Sequence, residues 1–108
     1  MRPTFRLLQH TARITLFTRQ NCSLCDTAKS VLQELGKTRS FDYHEVDVMA
    51  AGQQQWKLAY EFDTPVVHVQ RVFHTYAKPD IATEPGKLFH RFTTDEVERL
   101  VEEAEGHS

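Results

Sequence analysis

Arg19-Gln20-Asn21-Cys22-Ser23-Leu24-Cys25 is the stretch that decides the fold: it holds both cysteines of the chain, at CxxC spacing, where an apolar run stops and a helical pattern begins. Before it, Ile14-Thr15-Leu16-Phe17-Thr18 has the β-branched and aromatic content of a short buried strand. After it, Ala28, Val31, Leu32 and Leu35 recur at helical spacing up to Gly36, a natural helix stop. The cysteines therefore fall on a strand-to-helix turn, with Cys22 at or just before the helix N-terminus. Unpaired backbone N–H groups and the positive end of the helix dipole favour an anionic sulfur there. Arg19 adds a cation three residues earlier. The thiolate is the reactive form of cysteine, and these are the conditions that lower a thiol pKa.

Two blander readings compete. A CxxC is also half of a zinc site, or a pair of inert buried thiols. A structural zinc takes about four ligands, and this chain has no second CxxC. Its six histidines, His10, His44, His68, His74, His90 and His107, include no pair at i, i+3 or i, i+4. Redox chemistry is the reading the context favours, and no metal site is expected.

At 108 residues the chain is long enough for one core but not for two. With 40% hydrophobic and 26% charged residues, its composition is that of an ordinary soluble domain. A net charge of −2 argues against general nucleic-acid binding, which needs a basic surface. No apolar run approaches the roughly 18 residues of a membrane span, so no membrane partner is expected. Two cysteines this close do not staple a small secreted fold.

Residues 1–12 contain no acid, and Arg2, Arg6, Gln9 and Arg13 would share one helical face. Two readings stand side by side: a mitochondrial presequence, or a slightly basic tail on a cytoplasmic protein. Phe41–Val48 alternates as a second strand. Gln53–Phe62 reads as a helix with Trp56, Ala59 and Tyr60 on one face, Trp56 being a core or rim anchor rather than a substrate platform. Asp63-Thr64-Pro65 breaks that helix. Val66–Val69 is a third strand that extends towards Phe73, and Leu88–Phe92 is a fourth. Thr93 with Glu96 forms a capping-box pattern, opening a last helix with Val97, Leu100, Val101 and Ala104 on its core face. Residues 105–108 are a C-terminal tail. About fifteen residues, 73–87, are left as a loop far longer than the usual 2–5 of a hairpin, with His74, Tyr76 and Lys78 as its exposed-looking residues.

The order β-α-β-α-β-β-α implies a four-stranded mixed sheet flanked by three helices. With that order, the chain resembles a glutaredoxin of the thioredoxin-like superfamily, above all the small glutaredoxin-like proteins that place a CxxC after an initial strand. The resemblance spans about residues 13–104. It rests on Ile14–Cys25, on Arg19 where glutaredoxins usually carry a basic residue, and on Thr64-Pro65 where the family has a cis-proline beside the cysteines.

The resemblance implies a thiol–disulfide oxidoreductase with Cys22 as nucleophile, Cys25 as resolving thiol and Arg19 as electrostatic support. Thr64 and Pro65 would form the edge that meets a peptide or glutathione, and Thr93 and Thr94 would face a glutathione carboxylate. No cofactor is required, with glutathione a possible co-substrate. Disulfide-containing proteins or glutathione are the expected partners, and a monomer is expected. Two alternatives remain: Cys22 and glutathione holding an iron–sulfur cluster between two protomers, or an interaction module whose 73–87 loop holds a partner. The chain departs from the family in having Ser23-Leu24 between its cysteines and no Gly-Gly pair before the last helix, where it reads Phe92-Thr93-Thr94-Asp95. Asp26 reads as a routine first-turn acid.

Overall fold

The computed structural model describes residues 8–75 and 81–106. Its elements run β1 (Leu8–Thr18), α1 (Ser23–Gly36), β2 (Asp42–Asp47), α2 (Gln54–Tyr60), β3 (Val66–Thr75), β4 (Ile81–Ala82), β5 (Gly86–Phe89) and α3 (Thr94–Ala104). β1 lies at the centre, parallel to β2 and antiparallel to β3. The two short segments β4 and β5 both pair antiparallel with β3, at its far and near ends. They share the one remaining edge, so the sheet is four strands wide with its last strand broken in two. This is the expected mixed sheet with three helices.

Side-chain alternation along β1 and β3 sorts the core into two faces. Ala12, Ile14 and Leu16 of β1 lie with Val67 and Val69 of β3 on one face, and α1 and α3 cover it with Ala28, Leu32, Leu35, Val97 and Val101. Phe17 and Val66 lie on the other, covered by α2 through Tyr60 and the half-buried Trp56. A fully buried aliphatic side chain contributes about 1.5–3 kcal/mol, so the first face carries most of the apolar stabilisation. Ala59, expected beside Trp56 and Tyr60, is exposed.

Several boundaries differ from the sequence reading, most of them through pairing across the sheet and one through a turn. β1 begins at Leu8 rather than Ile14, because Leu8–Ala12 pair with Arg71–Thr75. Gln9 and Arg13 are strand residues and do not share a helical face, while residues 1–7 of the expected tail or presequence lie outside the described residues. Much of the expected 73–87 loop is strand: Phe73–Thr75 end β3, Ile81–Ala82 are β4 and Gly86–Lys87 open β5. Tyr76 and Lys78 lie outside the described residues. Cross-strand backbone pairing imposed these extensions on residues with no clear period-2 apolar pattern. The fourth strand ends at Phe89 rather than Phe92, since His90 turns the chain at φ 65°. Phe92, 8% exposed, joins the core from the loop before α3.

Candidate functional site

The parallel pairing of β1 and β2 sets their C-terminal ends side by side, at Thr18 and Asp47, and the antiparallel β3 starts beside them with Val66 opposite Phe17. The segment leaving β1 and the segment entering β3 therefore meet at one end of the sheet. That end receives the CxxC turn from one side and Thr64-Pro65 from the other. Phe89 pairs with Val66, so the short loop from β5 leads α3 back from the same end.

Asn21 sits in the left-handed region at φ 58°, which asparagine tolerates better than most residues, and this bends the chain into α1. Cys22 is the N-cap of α1, with extended φ and ψ, and its Sγ accepts the backbone N–H of Cys25 at 3.1 Å. Cys22 and Cys25 are joined in a disulfide, with Cα atoms 5.2 Å apart. The two sulfurs are not equivalent. Cys22 is half-buried and reachable, whereas Cys25 is 1% exposed on the core face of α1. Asp26, beside it, is exposed in the first turn, as a routine helix acid would be.

The Thr64–Pro65 peptide bond is cis. Pro65 is buried, and its carbonyl accepts the N–H of His90 at 2.8 Å. Among the described residues the N–H and C=O of Thr64 make no hydrogen bond, which leaves a short backbone edge open beside the cysteines. Arg19 spans the site rather than standing free: Nη1 donates to the carbonyl of Glu61, the C-cap residue of α2, at 2.9 Å. The guanidinium thus ties the CxxC turn to the segment leading into Pro65, at the negative end of a helix dipole.

Thr93 and Thr94 also reach this end, but Thr93 is already committed. Its hydroxyl accepts from Glu96 N–H at 3.2 Å, and its own N–H donates to Glu96 Oε1 at 2.9 Å, completing the expected capping box. The carboxylate at the start of α3 is therefore the chain's own.

Sequence reasoning missed other residues here. Asp47 at the end of β2, with Met49 and Ala50 beyond it, forms with Arg19, Gln20 and Asn21 a concavity of about 430 Å³. The signal for it is the parallel strand pair, since loops after adjacent parallel strands converge. Asp63 and His90 flank Pro65 with Oδ1 and Nε2 3.5 Å apart. His68, which stands at no metal-ligand spacing in the sequence, is buried against Tyr60, its Nε2 2.7 Å from the phenol oxygen. Burial and, secondarily, Lys87 lower its pKa to about 4. Among the described residues no three of His, Cys, Asp and Glu gather as a metal site, and no helix is long and apolar enough to cross a membrane.

Solved structures similar to this chain share its fold. A thioredoxin from Thermus thermophilus superposes with a TM-score of 0.61 at 20% identity, covering 89% of this chain and 75% of the thioredoxin. Thioredoxin O2 from Arabidopsis thaliana, in its oxidised state, gives 0.58 at 14% identity, covering 86% of this chain and 74% of its own. The structural-genomics target protein XcR50 from X. campestris gives 0.56 at 19% identity, covering 84% of this chain and 97% of its own. The fold is thus thioredoxin-like, and a disulfide at its helix start suits thiol–disulfide redox chemistry. Residues 13–102 match the glutaredoxin-like domain family (DUF836), and this chain belongs to it.

Proposed function

We propose that the protein is a thiol–disulfide oxidoreductase in which Cys22 is the nucleophile and Cys25 the resolving thiol. The observation that carries this reading is the asymmetry of the pair: Cys22 is reachable at the helix N-cap, while Cys25 is 1% exposed beneath it. In the reduced protein the Cys22 thiolate attacks one sulfur of a substrate disulfide. The substrate S–S bond breaks and its other sulfur leaves as a thiolate, taking up the proton released from Cys22. Cys25, giving its proton to the second leaving sulfur, then attacks Cys22 Sγ. The Cys22–Cys25 disulfide forms, and the substrate departs with two electrons and two protons as a pair of thiols. The Cys25 N–H that reaches Cys22 Sγ, and the first turn of α1 behind it, stabilise negative charge on that sulfur.

The open backbone edge of Thr64, framed by Pro65, would bind the chain of a disulfide-containing peptide in extended form. Arg19 supports the thiolate through its positive charge while holding the turn to Glu61. A glutathione molecule used as co-substrate would have to displace Glu96 from Thr93 to use the start of α3, and an extended protein segment would not. Protein disulfides are accordingly the favoured substrates.

The test is a pair of variants assayed against insulin and a small mixed disulfide. Cys22→Ser should abolish reduction of both, and Cys25→Ser should accumulate a covalent mixed disulfide with the protein substrate. In reduced Cys25→Ser, the alkylation rate should level off at a pKa well below the free-cysteine value of about 8.5. Equal rates for wild type and Cys22→Ser would sink the assignment.

A further inference from the structure

Away from the cysteines, the α2 face of the sheet carries a groove of about 420 Å³, floored by Thr15, Phe17 and Val46 and rimmed by Trp56, Glu84 and Lys87. That volume lies in the range of about 300–1,000 Å³ usual for small-molecule sites. Its chemistry comes from strand register. Thr15 of β1 stands opposite His68 of β3, and His68 stands opposite Lys87 of β5. These three side chains form one polar row across the face, with directly opposite Cβ atoms about 4.5–5.5 Å apart. The neighbouring row, towards the cysteines, is Phe17 and Val66, and Trp56 and Tyr60 of α2 pack against it.

His68 is 6% exposed, and its hydrogen bond to Tyr60 uses Nε2 alone. Among the described residues the phenol has no other acceptor, so the pairing that satisfies both groups has Tyr60 O–H donating to Nε2. In the neutral ring the proton then sits on Nδ1. That nitrogen has no hydrogen-bond partner among the described residues and is not sealed from solvent, so it opens on the groove. Lys87 makes no ion pair among the described residues. A histidine–tyrosine pair needed only for packing would account for neither the open Nδ1 nor the unpaired ammonium in the same row.

We propose that this groove binds a small aromatic carboxylate, its ring lying against Trp56 and its carboxylate held by the Lys87 ammonium and the Nδ1–H of His68. The ring extends the aromatic panel already present, where Trp56 lies 4.6 Å from Phe17 and 5.9 Å from Tyr60 between centroids. The single ammonium matches one carboxylate, and Glu84 on the rim disfavours a polyanion such as a nucleotide. The site makes no use of Cys22 or Cys25.

The chain has one tryptophan, so a single indole N–H signal in a ¹H–¹⁵N spectrum reports on the groove. The full chain should be titrated with 2-naphthoate and with its neutral analogue 2-naphthamide. Saturable movement of the Trp56 signal by 2-naphthoate, about five- to tenfold tighter than by the amide, is expected from one charge-assisted hydrogen bond at a solvent-facing lysine. Lys87→Gln, at an exposed position where the fold tolerates substitution, should remove that preference, while Cys22→Ser should keep it. The proposal falls if the indole signal stays still up to about 5 mM naphthoate, the weak end of specific small-ligand binding. It falls equally if acid and amide bind alike, or if Lys87→Gln retains the preference.

Discussion

The two faces of the sheet are built from alternate residues of the same strands, yet they are different materials. On the α1/α3 face, Ala12, Ile14, Leu16, Val67 and Val69 are aliphatic and buried beneath a fourteen-residue and an eleven-residue helix. On the α2 face, one apolar row containing Phe17 and Val66 is covered by a seven-residue helix, and the next row is Thr15, His68 and Lys87. A face that only had to be stable would repeat the aliphatic pattern. The contrast teaches a division of labour: the α1/α3 face holds the fold and seats Cys25, while the α2 face keeps polar groups whose burial costs stability.

Adjacent residues give the sharpest way to break that contrast. Ile14, fully buried, and Thr15, half-buried, point to opposite faces. Ile14→Ala leaves a cavity in close-packed aliphatic surroundings and should cost about 3 kcal/mol in urea unfolding. Thr15→Ala removes a hydroxyl with no hydrogen-bond partner among the described residues and should stay within about 0.5 kcal/mol of wild type. Comparable losses at the two positions would mean that the α2 face is an ordinary core after all.

Acid provides the next test, through His68. Its pKa is lowered to about 4, first by burial and then by Lys87, against an ordinary value of 6.5. Above about pH 6.5 the histidine is neutral in folded and unfolded chains alike, and the folded state has its full stability. Between about pH 6.5 and 4 the unfolded chain takes up a proton that the folded one refuses, so stability is lost as pH falls, approaching about 3 kcal/mol. The groups facing His68 are Tyr60 and Trp56 from α2, Lys87 from β5 and Thr15 and Phe17 from β1, with Glu84 on the rim of the same groove and His44 further along the row on β2. His68→Gln keeps a hydrogen-bonding group for Tyr60 and leaves the others in place. The difference between the two acid limbs therefore isolates His68. Parallel curves for wild type and His68→Gln would show that His68 protonates freely in the fold.

The same contrast explains what was legible in the chain. Helical periodicity in Ala28, Leu32, Leu35 and in Val97, Val101 is strong because each helix buries a continuous apolar stripe, so α1 and α3 can be read directly. The site end was legible in Cys22 and Cys25, because a CxxC at a helix start is a local signal, whereas Thr64-Pro65 was set beside them by the resemblance to glutaredoxins, its local pattern marking only a helix end and a strand start. Leu8–Ala12 and Phe73–Thr75 were not, since their strand structure comes from pairing with each other across the sheet and leaves no local apolar alternation. The Arg19–Glu61 bond and the Tyr60–His68 pair were hidden for a related reason. Each joins residues whose proximity exists only once α2 is laid on the sheet.

The helix starts repeat the division on a smaller scale. α3 opens with the reciprocal Thr93–Glu96 capping box, whereas Gln53 at the start of α2 makes no side-chain cap and has φ −108° and ψ 32° rather than extended backbone. Thr93→Ala should therefore cost about 1 kcal/mol. Gln53→Asp should gain only roughly 0.3–0.5 kcal/mol, mostly by placing a negative charge at the helix start, because the backbone there is poorly set for a cap. Urea midpoints at pH 7 measure both. If Thr93→Ala proved neutral, the capping box would contribute nothing. The Thr93 hydroxyl and N–H, with Thr94 beside them, would then be free to meet a glutathione carboxylate at the cysteine end. If the loss appears, the start of α3 belongs to the stability of the α1/α3 face, and the open backbone edge of Thr64 is left as the proposed place for a substrate chain.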